Sequence, residues 1–226
     1  MKKSDYVTPV LSVTNASNGL NKIDKNNLPD SLKYMTMADD LRNSGEYKKA
    51  VSCYLQSIML ERTNTESYLG LGISYKYLNN YEKAIENFQK SIMIDKTNLD
   101  VQLQLALAHE IAQEDDMAMK IYDKLIEEHP EYAKAHSHKA ALLICEGRYA
   151  DAIKIFMNVL KIEPNFYRAY FGLGVCFDNL KNFLYARKYY KKFLKVHPNS
   201  THAEYVQNRL SALKGKTDIT GHLRLV

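Results

Sequence analysis

Five alanines, Ala50, Ala84, Ala118, Ala152 and Ala186, stand 34 residues apart with no insertion or deletion between them. A chain that repeats at such a period folds as an array of one supersecondary unit. Other columns keep the same phase. Four residues after each alanine comes an aromatic (Tyr54, Phe88, Tyr122, Phe156, Tyr190), and twelve before it a small residue (Ala38, Gly72, Ala106, Ala140, Gly174). Three residues before each alanine the series runs Tyr47, Tyr81, Asp115, Tyr149, Phe183; twelve after, it runs Arg62, Lys96, Pro130, Pro164, Pro198.

Within one copy the apolar residues fall at helical spacing twice. Tyr68, Leu71, Tyr75 and Leu78 mark a first helix, and Ala84, Ile85, Phe88 and Ile92 a second, since residues three and four apart share a helix face. Asn79-Asn80 in one copy and Glu146-Gly147-Arg148 in another supply residues that tolerate the left-handed backbone at a helix end. The proline closing the last three copies cannot continue a helix. Each copy therefore reads as a helix hairpin. The small residue and the alanine let its two backbones approach, and the aromatic fills the space between successive hairpins. Stacking buries what one hairpin leaves exposed.

Composition agrees. The chain has 226 residues with only 9 Gly and 5 Pro, too few for an all-β fold with a turn every ten residues or so. At 46% hydrophobic and 25% charged it has the balance of a soluble protein. No run approaches the ~18 apolar residues of a membrane span, and no apolar stretch follows Met1-Lys2-Lys3 to form a signal peptide. Cys53, Cys145 and Cys176 are odd in number and share no short spacing; they read as reduced thiols, with Cys145 and Cys176 two buried small residues on adjacent first helices. The expected location is cytoplasmic.

The 34-residue period, the small, alanine, aromatic and proline columns, and the aromatics Tyr34, Tyr68 and Tyr170 resemble the tetratricopeptide repeat family. The resemblance implies an all-α, right-handed helix-hairpin solenoid. Repeats are expected at 31–64, 65–98, 99–132, 133–166 and 167–200, after a disordered tail at 1–30. Residues 201–214 place Ala203, Val206, Leu210 and Leu213 on one face and read as a capping helix, with Thr201 as N-cap and Glu204 at the capping-box offset; residues 215–226 are expected to fray. The third copy departs most, with Gln102 and Asp115 in aromatic columns, and the fourth carries His136 and Lys139 at columns usually aromatic and apolar.

The family uses its first helices to line a concave groove for peptides or helices. Here the groove columns hold Leu69, Leu103, Ser137 and Phe171; Ile73, Leu107, Ala141 and Val175; and Tyr77, Ile111, Cys145 and Asn179. The resemblance implies a peptide site at Leu69, Ile73, Tyr77, Leu103, Leu107, Ile111, Ala141, Phe171 and Val175, with Lys134 and Arg168 as cationic edges. A contiguous exposed apolar strip marks a contact surface; the alternative is that neighbouring hairpins or a self-docked tail, through Val7, Pro9, Val10, Leu11 and Val13, cover it. Some members clamp a C-terminal carboxylate with Lys and Asn. The corresponding Met35, Asp39, Gly70, Asp100 and Gln104 include no cation, so that mode is disfavoured.

The expected function is a protein-protein interaction scaffold or adaptor taking an apolar or amphipathic segment. One alternative is a chaperone that masks apolar segments of a client. Another is self-assembly between the third repeat, with two lysines against nine acids, and the fifth, with seven cations against one acid. Lys188, Lys191, Lys192 and Lys195 share one face of a second helix, most simply a solvated one, so nucleic acid is a disfavoured partner. No phosphate-binding glycine loop, His-Glu-x-x-His or Cys-x-x-Cys occurs. His136 and His138 point to different helix faces. No catalytic residue, metal site or cofactor is expected.

Overall fold

The computed structural model describes residues 28–216. The expectations for the tail, including its apolar residues 7–13, and for the residues after 216 lie outside the described residues. Among these, eleven helices and no strands occur: α1 (Asp30–Asn43), α2 (Tyr47–Leu60), α3 (Thr65–Tyr77), α4 (Tyr81–Ile94), α5 (Leu99–Ile111), α6 (Asp115–Glu128), α7 (Ala133–Cys145), α8 (Tyr149–Ile162), α9 (Tyr167–Asn179), α10 (Phe183–Val196) and α11 (Ala203–Ala212). The described residues form two compact units that divide within α6, between Ile121 and Tyr122. Each is a stack of helix hairpins: α1 packs on α2 and α3 on α4 in the first unit, α7 on α8 and α9 on α10 in the second.

One turn recurs between the helices of every copy. Gly45, Asn79, Gln113, Gly147 and Lys181 all take positive φ. The next residue's N–H then bonds a carbonyl five residues back: Glu46 to Leu41 at 2.8 Å, Asn80 to Tyr75 at 2.9 Å, Glu114 to His109 at 2.9 Å, Arg148 to Leu143 at 2.8 Å, Asn182 to Phe177 at 2.8 Å. This closes each first helix by satisfying its orphaned carbonyls. Asn80 and Asn182 also cap the following helix, their side chains accepting from Lys83 and Tyr185 N–H.

The aromatic column packs both within a hairpin and onto the next one. A Cβ added to Gly70 would come within 2.2 Å of the Tyr54 ring, and one on Gly72 within 2.6 Å of Phe88. In the second unit Gly172 faces Phe156 at 2.3 Å and Gly174 faces Tyr190 at 2.4 Å by the same measure. The glycines thus admit rings that are removed from water, each contributing ~2–3 kcal/mol.

The irregular copies keep the hydrogen bond of the aromatic they lack. Tyr170 Oη donates to Pro164 O at 2.7 Å. In the same column His136 Nε2 donates to Pro130 O at 2.8 Å and Gln102 Nε2 to Lys96 O at 2.9 Å. Lys139 reaches back to pair with Asp123. The cysteine expectation needs correcting: Cys176 is buried, but Cys145 is exposed at the end of α7. Burial pushes the Cys176 thiol up to about 12.

At the C-terminal end α11 begins after His202, not Thr201, and no side chain caps it. Residues 201 and 202 form a turn that makes His202 the flanking residue. The helix docks onto α9 and α10. Phe171 stands 4.8 Å from His202 and 6.2 Å from Tyr205 between ring centroids. Arg209 grips the buried Asp178 with two bonds, Nε at 2.5 Å and Nη2 at 2.7 Å.

Candidate functional site

The first-helix faces of the two units are less open than an apolar strip would be. Seven of the eleven residues expected to line the groove are buried: Leu69, Ile73, Leu103, Leu107, Ala141, Phe171 and Val175. Leu103 and Leu107 retain 1% and 2% of their surface. In the first unit Leu69 and Ile73 join a core cluster with Ala84, Phe88, Val101 and Ala108. Branched aliphatic side chains here fill the gap between adjacent first helices instead of standing free. In the second unit α11 covers Phe171. The expected contiguous exposed strip is therefore corrected to a mostly filled seam.

What stays accessible is more polar and aromatic. Tyr77, at 39% exposure, stacks on Tyr47 with centroids 4.6 Å apart and planes 4° from parallel. Ile111 is half-buried. Lys134 is half-buried, with its ammonium 5.8 Å from the Tyr132 ring centroid. Arg168 is also half-buried: its Nη1 lies 3.1 Å from His138 Nε2 and its Nε donates to Tyr167 Oη at 3.3 Å. Its cationic edge is thus already engaged within the chain.

One column on this face escaped the sequence reading. Arg42, Lys76, Glu110, Ile144 and Asp178 are 34 residues apart. The column is charged in four of five copies although it lies on the inner helix of each hairpin. Arg42 Nη2 meets Asp39 at 2.9 Å, and Asp39 also accepts from Tyr54 Oη at 2.6 Å. Asp178 is held by Arg209. Glu110 is buried. Lys76 Nζ donates to Gln104 Oε1 at 2.6 Å, and burial pushes its ammonium down to about 8. Nearby, burial and then the charge of Asp39 raise the Glu66 carboxyl above its ordinary value. Charge repeating in phase on the inner helices was the signal available in the sequence.

The outer surface carries two further features. Met59 and Met93, one period apart at the ends of α2 and α4, are exposed. On α10, Lys188 lies over the Tyr185 and Tyr189 rings and Lys192 over Tyr170. Among the described residues no group of three or more His, Cys, Asp or Glu side chains is placed to hold a metal ion, and no described helix is long and apolar enough to cross a membrane.

Comparison with known proteins agrees with this architecture. Sequence signatures of the tetratricopeptide repeat match residues 65–98, and residues 100–132 and 168–200. A TPR repeat-containing protein of Rhizobium etli is 28% identical over 94 residues, covering 42% of this chain and 46% of that protein. The chain thus spans about half the length of that curated relative. The crystal structure of MamA protein superposes with a TM-score of 0.61 at 26% identity, over 78% of this chain and 95% of that one. A tetratricopeptide repeat protein from Parabacteroides merdae gives a TM-score of 0.67 at 17% identity, over 83% of this chain and 74% of that one, a likeness of fold.

Proposed function

The chain is a tetratricopeptide repeat protein, a family of protein-protein interaction scaffolds, and on that premise we propose that its first unit binds a peptide segment across α1, α3 and α5. The observation that carries this reading is the exposed Tyr77 at the end of α3, the helix that carries the buried Leu69 and Ile73, stacked on Tyr47 at the start of α2. A flat aromatic pair offers contact area at low entropic cost. The segment lies over this seam with apolar side chains against the ring pair. Leu103 and Leu107, buried on α5, act as support.

Selection from a displayed library of random peptides on the full chain tests this. Peptides with apolar anchors are expected, and Tyr77→Asp, at an exposed position, is expected to lose them while keeping its melting temperature. Peptides recovered equally by Tyr77→Asp would refute the site.

A further inference from the structure

We propose that the outer face of α8 and α10 is a docking surface for the anionic headgroups of a phospholipid membrane. The face lies within the second unit and is independent of the peptide reading. On α10, Lys188, Lys191, Lys192 and Lys195 are exposed, and their spacing keeps them within about 100° of arc. One period back on α8, Lys154 and Lys161 are exposed at the positions matching Lys188 and Lys195. The two outer helices are neighbours, since Tyr189 Oη on α10 donates to Met157 Sδ on α8 at 3.4 Å. These lysines therefore share one face.

That face lacks the acids that answer lysine elsewhere. On the outer helices of other copies Lys49 pairs with Glu46, Lys90 with Glu86 at 2.6 Å and Lys124 with Glu128 at 3.8 Å. Between Asp178 and Glu204 the sequence holds no acid, and Asp178 is held by Arg209. Among the described residues the four α10 lysines form no ion pair, and on α8 only Lys154 does, with Asp151 at 3.7 Å. Like charges three and four residues apart on a helix repel, so an external anion relieves what the fold leaves unanswered. Rings position the row: Lys188 lies over Tyr185 and Tyr189 and Lys192 over Tyr170, 5.4 to 5.7 Å from ammonium to centroid. Such contacts fix the lysine stems without neutralising their charge.

The chemistry of the face selects among polyanions. Nucleic-acid binding uses open rings to stack bases and arginine to read their edges. Here Tyr189 is buried, Tyr170 and Tyr185 lie under lysines, and Arg187, the arginine of α10, donates to the carbonyls of Leu213 and Lys216 at 3.0 and 3.1 Å. Protein interfaces are poor in lysine. A lipid surface asks for less: about four to eight lysines or arginines clustered on a helix attract anionic headgroups. Leu184, 59% exposed one turn before Lys188, adds an apolar side chain suited to the headgroup boundary.

Co-sedimentation of the full chain with vesicles tests this, using phosphatidylcholine alone or mixed with an equal part of phosphatidylserine. Binding is expected to the mixed vesicles only, and it should weaken as salt rises. At roughly fivefold per lysine, Lys188→Gln/Lys192→Gln should weaken partitioning about 25-fold, while Lys188→Arg/Lys192→Arg retains it. Both positions are exposed, so the circular dichroism melt of either variant should match wild type. Lys49→Gln/Lys90→Gln removes the same net charge from paired lysines and should change binding little. No binding to the mixed vesicles at low salt, binding that survives Lys188→Gln/Lys192→Gln, or an equal loss in Lys49→Gln/Lys90→Gln would overturn the proposal. Single-stranded or duplex oligonucleotides that outcompete the vesicles would overturn it too, and assign the face to nucleic acid.

Discussion

Replacing Lys76 with methionine should make this protein more stable, and by an amount that depends on pH. Burial lowers the ammonium from 10.5 to about 8. At 1.36 kcal/mol per tenfold change in proton affinity, holding it charged in the fold costs ~3 kcal/mol. Methionine removes that cost, keeps the aliphatic stem, and forfeits the bond to Gln104, itself ~1 kcal/mol. A net gain of ~2 kcal/mol is expected at pH 7. The folded-state value is the lower one, so below about 8 the lysine is charged in both states and the full cost is present. As pH rises from there towards 10.5, the unfolded chain holds a proton that the fold has shed. Wild-type stability then rises relative to the variant, and the gap closes. The other charged groups of this face, Asp39, Arg42, Glu66, Asp100 and Glu110, are common to both proteins and cancel in the difference. Urea unfolding followed by circular dichroism at pH 7, 8.5 and 10 reads the gap directly. A variant less stable than wild type at pH 7, or a gap that stays constant up to pH 10, would refute the reasoning.

Other substitutions test the packing. Leu107→Asp places a carboxylate where 2% of the side chain meets solvent, so it should cost ~4 kcal/mol and lower the urea midpoint sharply; an unchanged midpoint would mean the seam is open to water. Gly172→Ala drives a methyl to within 2.3 Å of the Phe156 ring and should cost ~1–3 kcal/mol through overpacking, seen as a lower melting temperature. Arg209→Ala strands the buried Asp178 and should cost ~3 kcal/mol. Adding Asp178→Asn should recover much of that loss, and a purely additive double mutant would show that the pair is not coupled.

The fold was legible because its determinants are local and periodic. Ala50 and its four counterparts mark the helix contacts, and Gly45 and Gly147 mark left-handed turns that few other residues adopt without cost. Gln113 and Lys181 occupy the same turn, and only the period reveals it, since neither residue favours positive φ. Gln102 and His136 looked like defects in an aromatic column, yet they preserve its hydrogen bond to the preceding copy. The site was less legible because exposure is not a local property. Leu69 reads the same whether it faces water or the neighbouring helix, and only the packing against Val101 and Ala108 decides. Phe171 is covered by α11, whose docking depends on the distant pair Arg209 and Asp178. Lys76 is silent in the sequence because its surroundings depend on which side chains the neighbouring helix brings to it, here the neutral Gln104.

The most direct test of the account is to map a selected peptide onto the full chain by amide chemical-shift perturbation. Binding across the first unit predicts shifts concentrated at Tyr47, Leu69, Ile73, Lys76, Tyr77 and Gln104, and little change along α10. Shifts centred instead on Met59 and Met93, or on Lys188, Lys191, Lys192 and Lys195, would contradict it.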